Sequence, residues 1–413
     1  MKRGFVATRT VRGTGVLAFG AVLALGVTAC GSSAQGPDEG GTDRSTPPSV
    51  APQNPASEPS PDGVTASRDS EDPTVTTIGL AEPYVPTAEG DGTDDYRCFL
   101  IDLDFDEDQF VTGVRFTPGN PAVVHHAIVY RVEPDQVDAA KKKDAEDEGQ
   151  GWSCFGGPGL PASSSGDTVR SLQGSAWLAA WAPGGRESKT PTGTGVPVKA
   201  GSAAVLQVHY NMRGGEGPDL TEVHLRTTPG SADLVSLDTY LLPAPVELPC
   251  LPDESGPLCD REAAVSDVIN RFGGESLRTI WGLQFICDGD LVDPIAGSTQ
   301  SCEHTARGDL RIYAAAGHMH LLGRSLTIDH VTASGEERNV LDIPLWDFDN
   351  QARTWLPEPV EVAKGDTLRV TCTHDATLRR SLPELSGLPP RHVVWGEGTT
   401  DEMCLGILTV AAV

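Results

Sequence analysis

The sequence predicts an all-β protein built as two consecutive antiparallel β-sandwich domains. Three observations carry this. Short runs rich in aliphatic and β-branched residues, mostly bounded by Gly, Pro or Asp, recur along the chain, as at 123–124, 203–208, 310–313 and 367–371. That is the pattern of strands between turns. Gly 46 and Pro 32 supply many turns, and charged residues are a modest 22%, which disfavours helical bundles. The 413 residues exceed one core, which usually stops growing near about 250–300 residues, so two domains and an appendage are expected.

The appendage is N-terminal. Lys2, Arg3, Arg9 and Arg12 form a basic region ahead of an apolar run over 16–27. That run is shorter than the about 20 residues a spanning helix needs, and it ends in Val27-Thr28-Ala29-Cys30, which resembles a bacterial lipobox. Residues 1–29 therefore read as a lipoprotein signal peptide with small residues at its cleavage site, and Cys30 as the lipidation site. No arginine doublet of the twin-arginine type is present, so the general secretory route is expected. The location that follows is extracytoplasmic, lipid-anchored to the bacterial cell membrane. Residues 30–75 are Ser, Thr, Pro, Gly, Asp and Glu with almost no large apolar side chain. Such a segment cannot bury enough surface to offset its ordering entropy, and it reads as a disordered tether.

The folded part is expected from Thr76, with one domain over 76–228, a break near Thr228-Pro229, and a second domain over 229–413. Helices are few: the charged segment 138–147 reads as a surface helix or loop insertion, and 261–271 as a short helix. The chain has nine cysteines. With Cys30 set aside, Cys98, Cys154, Cys250, Cys259, Cys287, Cys302, Cys372 and Cys404 form an even set, which in an exported chain reads as disulfides. Cys250–Cys259 and Cys287–Cys302 are plausible local loops. The absence of any CxxC disfavours a zinc ribbon or thioredoxin-like chemistry. A formal charge of -27 would repel nucleic acid, so no nucleic-acid partner is expected; anionic lipid is disfavoured on the same ground, which leaves the acyl chain on Cys30 to hold the membrane.

The histidines cluster. His125-His126 follow an apolar strand, His318-Met319-His320 form a second group, and His209 ends a third strand. Alternate residues of a strand share a face, so His318 and His320 can clamp one metal. Adjacent His125 and His126 would point to opposite faces of a regular strand. They can share a metal if the strand is twisted there, or if one ring coordinates through Nδ1 and the other through Nε2. His209 could complete a set of three imidazoles, and Met403, near the turn Gly396-Glu397-Gly398, could add a thioether to His318 and His320. Imidazole with thioether points to copper, because a thioether selects Cu(I). Each residue also has a plainer reading, as a hydrogen-bonded core histidine or a packing methionine.

These residues sit in longer strings that resemble one family from about Tyr96 to Leu405. Tyr96-Arg97-Cys98, Val124-His125-His126, Leu206-Gln207-Val208-His209-Tyr210, Gly317-His318-Met319-His320-Leu321-Leu322-Gly323 and Asp401-Glu402-Met403-Cys404 are similar, in this order, to motifs of the copper type II, ascorbate-dependent monooxygenases. The family includes the peptidylglycine α-hydroxylating and dopamine β-monooxygenases. The resemblance implies jelly-roll-like sandwiches around an interdomain, solvent-filled cleft, with two coppers per chain. His125, His126 and His209 would bind an electron-transfer copper. His318, His320 and Met403 would bind the catalytic copper. O2, a small-molecule substrate and ascorbate or a similar electron donor would be the reactants. The resemblance also implies the disulfides Cys98–Cys154 and Cys372–Cys404.

Departures from the family narrow the substrate. Where the peptide-amidating members carry an arginine that anchors a carboxylate, this chain has Ala316, and where they carry Asn and Tyr it has Leu405 and Ile407. A glycine-extended peptide is therefore not expected, and the acidic surface favours a neutral or cationic substrate. Arg311, Tyr313 and Arg324 lie near the expected cleft as surface or strand-edge residues. No lyase domain follows Val413, so a second, amide-forming activity is not expected in this chain. Two other functions fit parts of the pattern: a non-catalytic copper-binding or storage lipoprotein, and an adhesion or cell-wall-binding sandwich with structural histidines.

Overall fold

The computed structural model describes residues 67–68, 72, 74–88, 93–161 and 174–413. The expected signal peptide, the lipidation site Cys30 and most of the expected tether lie outside these residues. The described part is all-β with small, mainly antiparallel sheets. Its first strand, Ser67–Arg68, already pairs with Thr77 and Thr76, and Asp72 bonds Arg226, so ordered pairing begins ahead of Thr76.

The first sandwich packs two sheets. One runs in the order Ser67–Arg68, Val75–Gly79, Glu222–Pro229, Gln109–Thr117, Thr194–Val198, Val235–Ser236. The other runs Trp152–Ser153, Asp94–Asp102, Ala203–Asn211, Val124–Val132, Trp177–Trp181. Alternation decides what each face does. Leu206, Val208 and Tyr210 enter the core between the sheets with Ile78, Phe99, Ile101 and Val223. Val205, on the opposite face, joins Cys98, Ile128, Tyr130 and Trp152 beneath the helix Val137–Glu146. His209 shares the parity of Val205, so it points away from the sandwich core.

The second sandwich sets the sheet Thr354–Val362, Leu310–His318, Leu405–Ala412, Asp238–Pro243, Gly174–Ser175 against Thr299–Thr305, Thr367–His374, Gly323–Val331, Glu337–Ile343. Leu242, Ile312, Leu326, Ile328, Leu368, Val370 and Leu408 form its centre. Burying each such side chain contributes roughly 1.5–3 kcal/mol. Gly317 is held by packing: a Cβ there would lie 2.8 Å from a Leu326 methyl. The halves also exchange edges. Val235–Ser236, past the expected break near Thr228-Pro229, pairs with Thr194 and Gly195, and Gly174–Ser175 pairs with Thr239 and Tyr240.

Two consecutive helices, Arg261–Phe272 and Gly274–Ile286, pack on the second sandwich. Asp260 caps the first by accepting from Ala263 N at 3.0 Å, and Gly273, at φ 83°, ends it. The sequence reading found the first helix and missed the second. The second exposes Trp281 and Phe285 while burying Ile280 and Leu283, so its apolar residues do not mark one face. Among the described residues, no helix is long and apolar enough to cross a membrane.

All four expected disulfides form: Cys98–Cys154, Cys250–Cys259, Cys287–Cys302 and Cys372–Cys404.

Candidate metal centre

A bulge solves the problem of the adjacent histidines. Along Val124–Val132, His126 stands opposite His209, but Val124 stands opposite Tyr210, so the register slips by one residue. His125 is the extra residue. Val124 and Ala127 both enter the sandwich core, and both intervening histidines turn to the other face. The rings do not divide their nitrogens between Nδ1 and Nε2. All three converge through Nδ1, at 3.2 Å for His125–His126, 3.2 Å for His125–His209 and 3.3 Å for His126–His209.

Three nitrogens this close, all on buried or half-buried rings, fit a metal. The common centre of such a triangle lies about 1.9 Å from each corner, near the about 2.0–2.1 Å of an imidazole bond to zinc. The tautomers agree. Asp94 Oδ1 accepts from His209 Nε2 at 2.8 Å, which leaves the Nδ1 lone pair of His209 free to ligate. Burial would raise the Asp94 carboxyl, but His209, Thr399 and Thr93 outweigh it and hold it at about 2. Burial, then the neighbouring rings, push the His125 and His126 imidazoles well below their usual range, so they are in the neutral, ligating form at pH 7. Tyr96 stacks on His209 at 4.0 Å.

The second set is built at the end of Leu310–His318. The strand stops at His318, so His320 lies in the following turn rather than on the same strand face. The rings still stand 5.2 Å apart. His318 Nδ1 donates to Gln351 Oε1 at 2.6 Å, while Gln351 Nε2 donates to the Phe348 carbonyl at 2.8 Å, which fixes the amide's orientation. His320 Nδ1 donates to the Asp401 carbonyl at 3.3 Å. Both rings thus present Nε2, and in buried His320 that nitrogen has no partner. Burial, then His320, push the His318 imidazole down to about 3. The first set converges through Nδ1, and the second presents Nε2.

Met403 reaches this turn because the next strand pairs Leu405 with His318. Its neighbours hold the turn. Glu402, fully buried, accepts from His320 N at 2.9 Å and Leu322 N at 2.5 Å. Burial would raise its carboxyl, but bonds from His374 and the turn outweigh this and lower it. Arg271, on the capped helix, grips Asp401 through both carboxylate oxygens at 2.6 and 2.7 Å. The Cys372–Cys404 disulfide ties the residue after Met403 to the facing sheet.

The two sets meet. His126 and His318 have ring centroids 5.7 Å apart, and His125 stacks on Phe348 at 4.6 Å. The cleft expected between them is closed at the histidines. Space opens beside them as a cavity of about 1080 Å³, onto which His126, His318, Met403, Ala316, Leu405 and Ile407 face. Glu397 lines the same cavity, and burial pushes its carboxyl up to about 7. Arg311, Tyr313 and Arg324 do not line it, and Arg311 pairs with Glu361 at 2.6 Å. The sequence reading passed over Asp94, Gln351 and Arg271. Only the capping Asp260 and the Gly273 that bound the Arg271 helix could have pointed to any of them.

Fold and site together define a two-sandwich metalloprotein whose histidine sets suit copper. The family model for the copper type II ascorbate-dependent monooxygenase N-terminal domain matches residues 84–216, and that for the C-terminal domain matches 295–409. The chain belongs to the copper type II ascorbate-dependent monooxygenase family. Among solved structures it is similar to a xanthan lyase from Paenibacillus, at 11% identity over 85% of this chain and 25% of that chain, with a TM-score of 0.18. It is also similar to procruciferin, an 11S globulin from Brassica napus, at 10% identity over 82% of this chain and 76% of that chain, with a TM-score of 0.14. The chain spans about a quarter of the lyase, and likenesses at these scores carry no argument.

Proposed function

We propose that this protein is a copper monooxygenase that hydroxylates a C–H bond of a small molecule with O2, using ascorbate or a similar reductant. One observation carries the reading: two sets of imidazoles, in ring contact, bring their ring nitrogens together and open on a substrate-sized cavity. Pockets for small molecules usually span about 300–1,000 Å³. Copper would supply the redox chemistry with O2. The chain supplies the rest. His125, His126 and His209 form an all-imidazole site. His318, His320 and Met403 form a softer one that favours Cu(I). Asp94, Gln351 and the Asp401 carbonyl hold the tautomers. The apolar wall of Ala316, Leu405 and Ile407 excludes water beside the second set. A storage protein would need the ligands but not that cavity.

The lipobox ending at Cys30 and the four disulfides support an extracytoplasmic, lipid-anchored protein, since disulfides persist in oxidising compartments. Copper titration of the full chain tests the metal reading, with two coppers per chain expected. No bound copper, or binding unchanged in a His209→Ala/His318→Ala double variant, would overturn it. Oxygen consumption that depends on ascorbate and yields a product labelled from O2 tests the activity. Tight copper binding with peroxide as sole product from every substrate tried would favour the storage reading.

A further inference from the structure

Arg353 is a cation without a counter-ion in the wall of the cavity. The other arginines whose pKa is shifted lie beside carboxylates: Arg271 by Asp401, Arg311 by Glu361, Arg369 by Glu337, Arg379 by Glu254 and Arg380 by Asp253. Arg353 has no hydrogen-bond or ion-pair partner among the described residues. Its guanidinium carbon lies 5.8 Å from the Trp355 ring centroid. Burial alone pulls its pKa down. Arg353 is half-buried, and a partly desolvated guanidinium with no partner carries a free-energy cost that a bound anion would offset.

Its position says what the ligand meets. In the antiparallel pair, Ala314 stands opposite Trp355 and Ala315 opposite Thr354. Ala316 and Arg353 are the next residues beyond that last pair. Both line the cavity. The methyl of Ala316 leaves room for the long side chain. Ala316 is two residues before His318, and Arg353 is two residues after Gln351, whose oxygen holds His318. Of the other cations on the cavity, Arg131 pairs with Glu133 and Lys189 with Glu187, while Arg186 is exposed at its rim. Leu405, Ile407 and Trp177 make the neighbouring wall apolar.

We propose that Arg353 selects the substrate, which is an organic acid with an apolar body whose carboxylate the guanidinium binds while that body lies against the wall beside His318. A planar guanidinium offers a fork of N–H donors that matches a carboxylate. This assignment rests on the monooxygenase reading for its meaning but not for its test. It reverses the expectation, drawn from net charge and the loss of an arginine at 316, of a neutral or cationic substrate. The surface charge is an average over the molecule, whereas Arg353 acts at the site.

The test is ligand binding to the full chain, metal-free and copper-loaded, followed by tryptophan fluorescence and calorimetry. The probes are 4-phenylbutyrate and hexanoate, each against its amide. The acids are expected to bind at least tenfold more tightly than the amides. Arg353→Gln should abolish the difference by weakening the acids alone, and Arg353→Lys should keep part of it. Equal binding of acid and amide, a preference that survives Arg353→Gln, or no saturable binding of either acid would overturn the assignment. Copper content is measured on the same samples. An acid preference without copper leaves Arg353 assigned and sinks the monooxygenase reading, and bound copper with no acid preference does the reverse.

Discussion

Asp94 holds His209 by the nitrogen that faces away from the metal centre, with Oδ1 2.8 Å from Nε2. The same oxygen accepts from Thr399 Oγ1 at 2.9 Å and Asn211 Nδ2 at 3.3 Å. Since Asp94 can only accept when ionised, the proton of His209 is fixed on Nε2. Replacing Asp94 by Ala frees the ring to turn or to take the other tautomer. Loss of such a partner typically costs about 10–100-fold in metal affinity. Asp94→Ala should therefore weaken the three-imidazole site by that factor and leave the His318–His320 site unchanged, as read by competition with a copper chelator. Asp94 is pulled from 3.8 down to about 2, so its stabilising contribution is present above pH 4 and disappears as pH falls through about 2.

Arg271 acts on His320 through Asp401. The guanidinium meets both carboxylate oxygens, Asp401 is almost wholly buried, and its backbone carbonyl receives His320 Nδ1–H. Removing one partner of a buried pair usually costs about 3–5 kcal/mol. Arg391, 3.4 Å from Asp401, would soften the loss. Arg271→Ala should lower stability by about 3 kcal/mol in denaturant unfolding. It should also weaken copper at the His318–His320–Met403 set more than at His125–His126–His209. Equal weakening of both sets would mean that Asp401 only holds the fold.

What the sequence made legible was the chemistry that is rare per residue. Paired histidines, a His-x-His and a methionine beside a cysteine stand out because few other roles place them together; cysteine parity, once Cys30 is set aside, marks the eight disulfide cysteines, while the pairings Cys98–Cys154 and Cys372–Cys404 are implied only by the family resemblance. The supporting groups are common residue types brought in from far along the chain. Asp94 meets His209 across 115 residues, and Arg271 meets Asp401 across 130, so no local spacing marks them. The bulge at His125 is neither of the two escapes expected, a twisted strand or a split between Nδ1 and Nε2, because a register slip depends on the partner strand. Arg353 is one arginine among many until the fold sets it on the same cavity wall as Ala316.

Glu397 gives the protein a pH dependence of its own. Burial raises its carboxyl from 4.5 to about 7. The folded state therefore holds this proton where the unfolded chain has released it. The stability it contributes is complete below pH 4.5, falls as pH rises towards 7, and is lost beyond that. A pKa unit is worth about 1.4 kcal/mol, and access of water from the cavity trims the sum, so Glu397→Gln should be more stable than the parent by about 1–2 kcal/mol at pH 8 and equal to it at pH 4.5. Thermal unfolding of both proteins across that range reads the difference. Parallel curves would show that Glu397 does not titrate there.

The Cys372–Cys404 bridge separates stability from metal selectivity. It closes a loop of 32 residues, for which chain entropy gives about 3–4 kcal/mol of stabilisation. A Cys372→Ser/Cys404→Ser variant should lose most of that. The bridge also fixes the backbone beside Met403, while Glu402 and the strand pairing of Leu405 with His318 act on the same turn. If the bridge serves only stability, a variant refolded at low temperature will bind Cu(I) as the parent does. If it also positions the thioether, Cu(I) affinity at this set will drop while Cu(II) affinity, carried by His318 and His320, changes little, because the soft ligand matters mainly to the reduced ion. The second outcome is expected, since Met403 is adjacent to the bridged cysteine and lies in a turn with no ladder of its own. Chelator competition with each copper ion, at a temperature where both proteins are folded, decides between them.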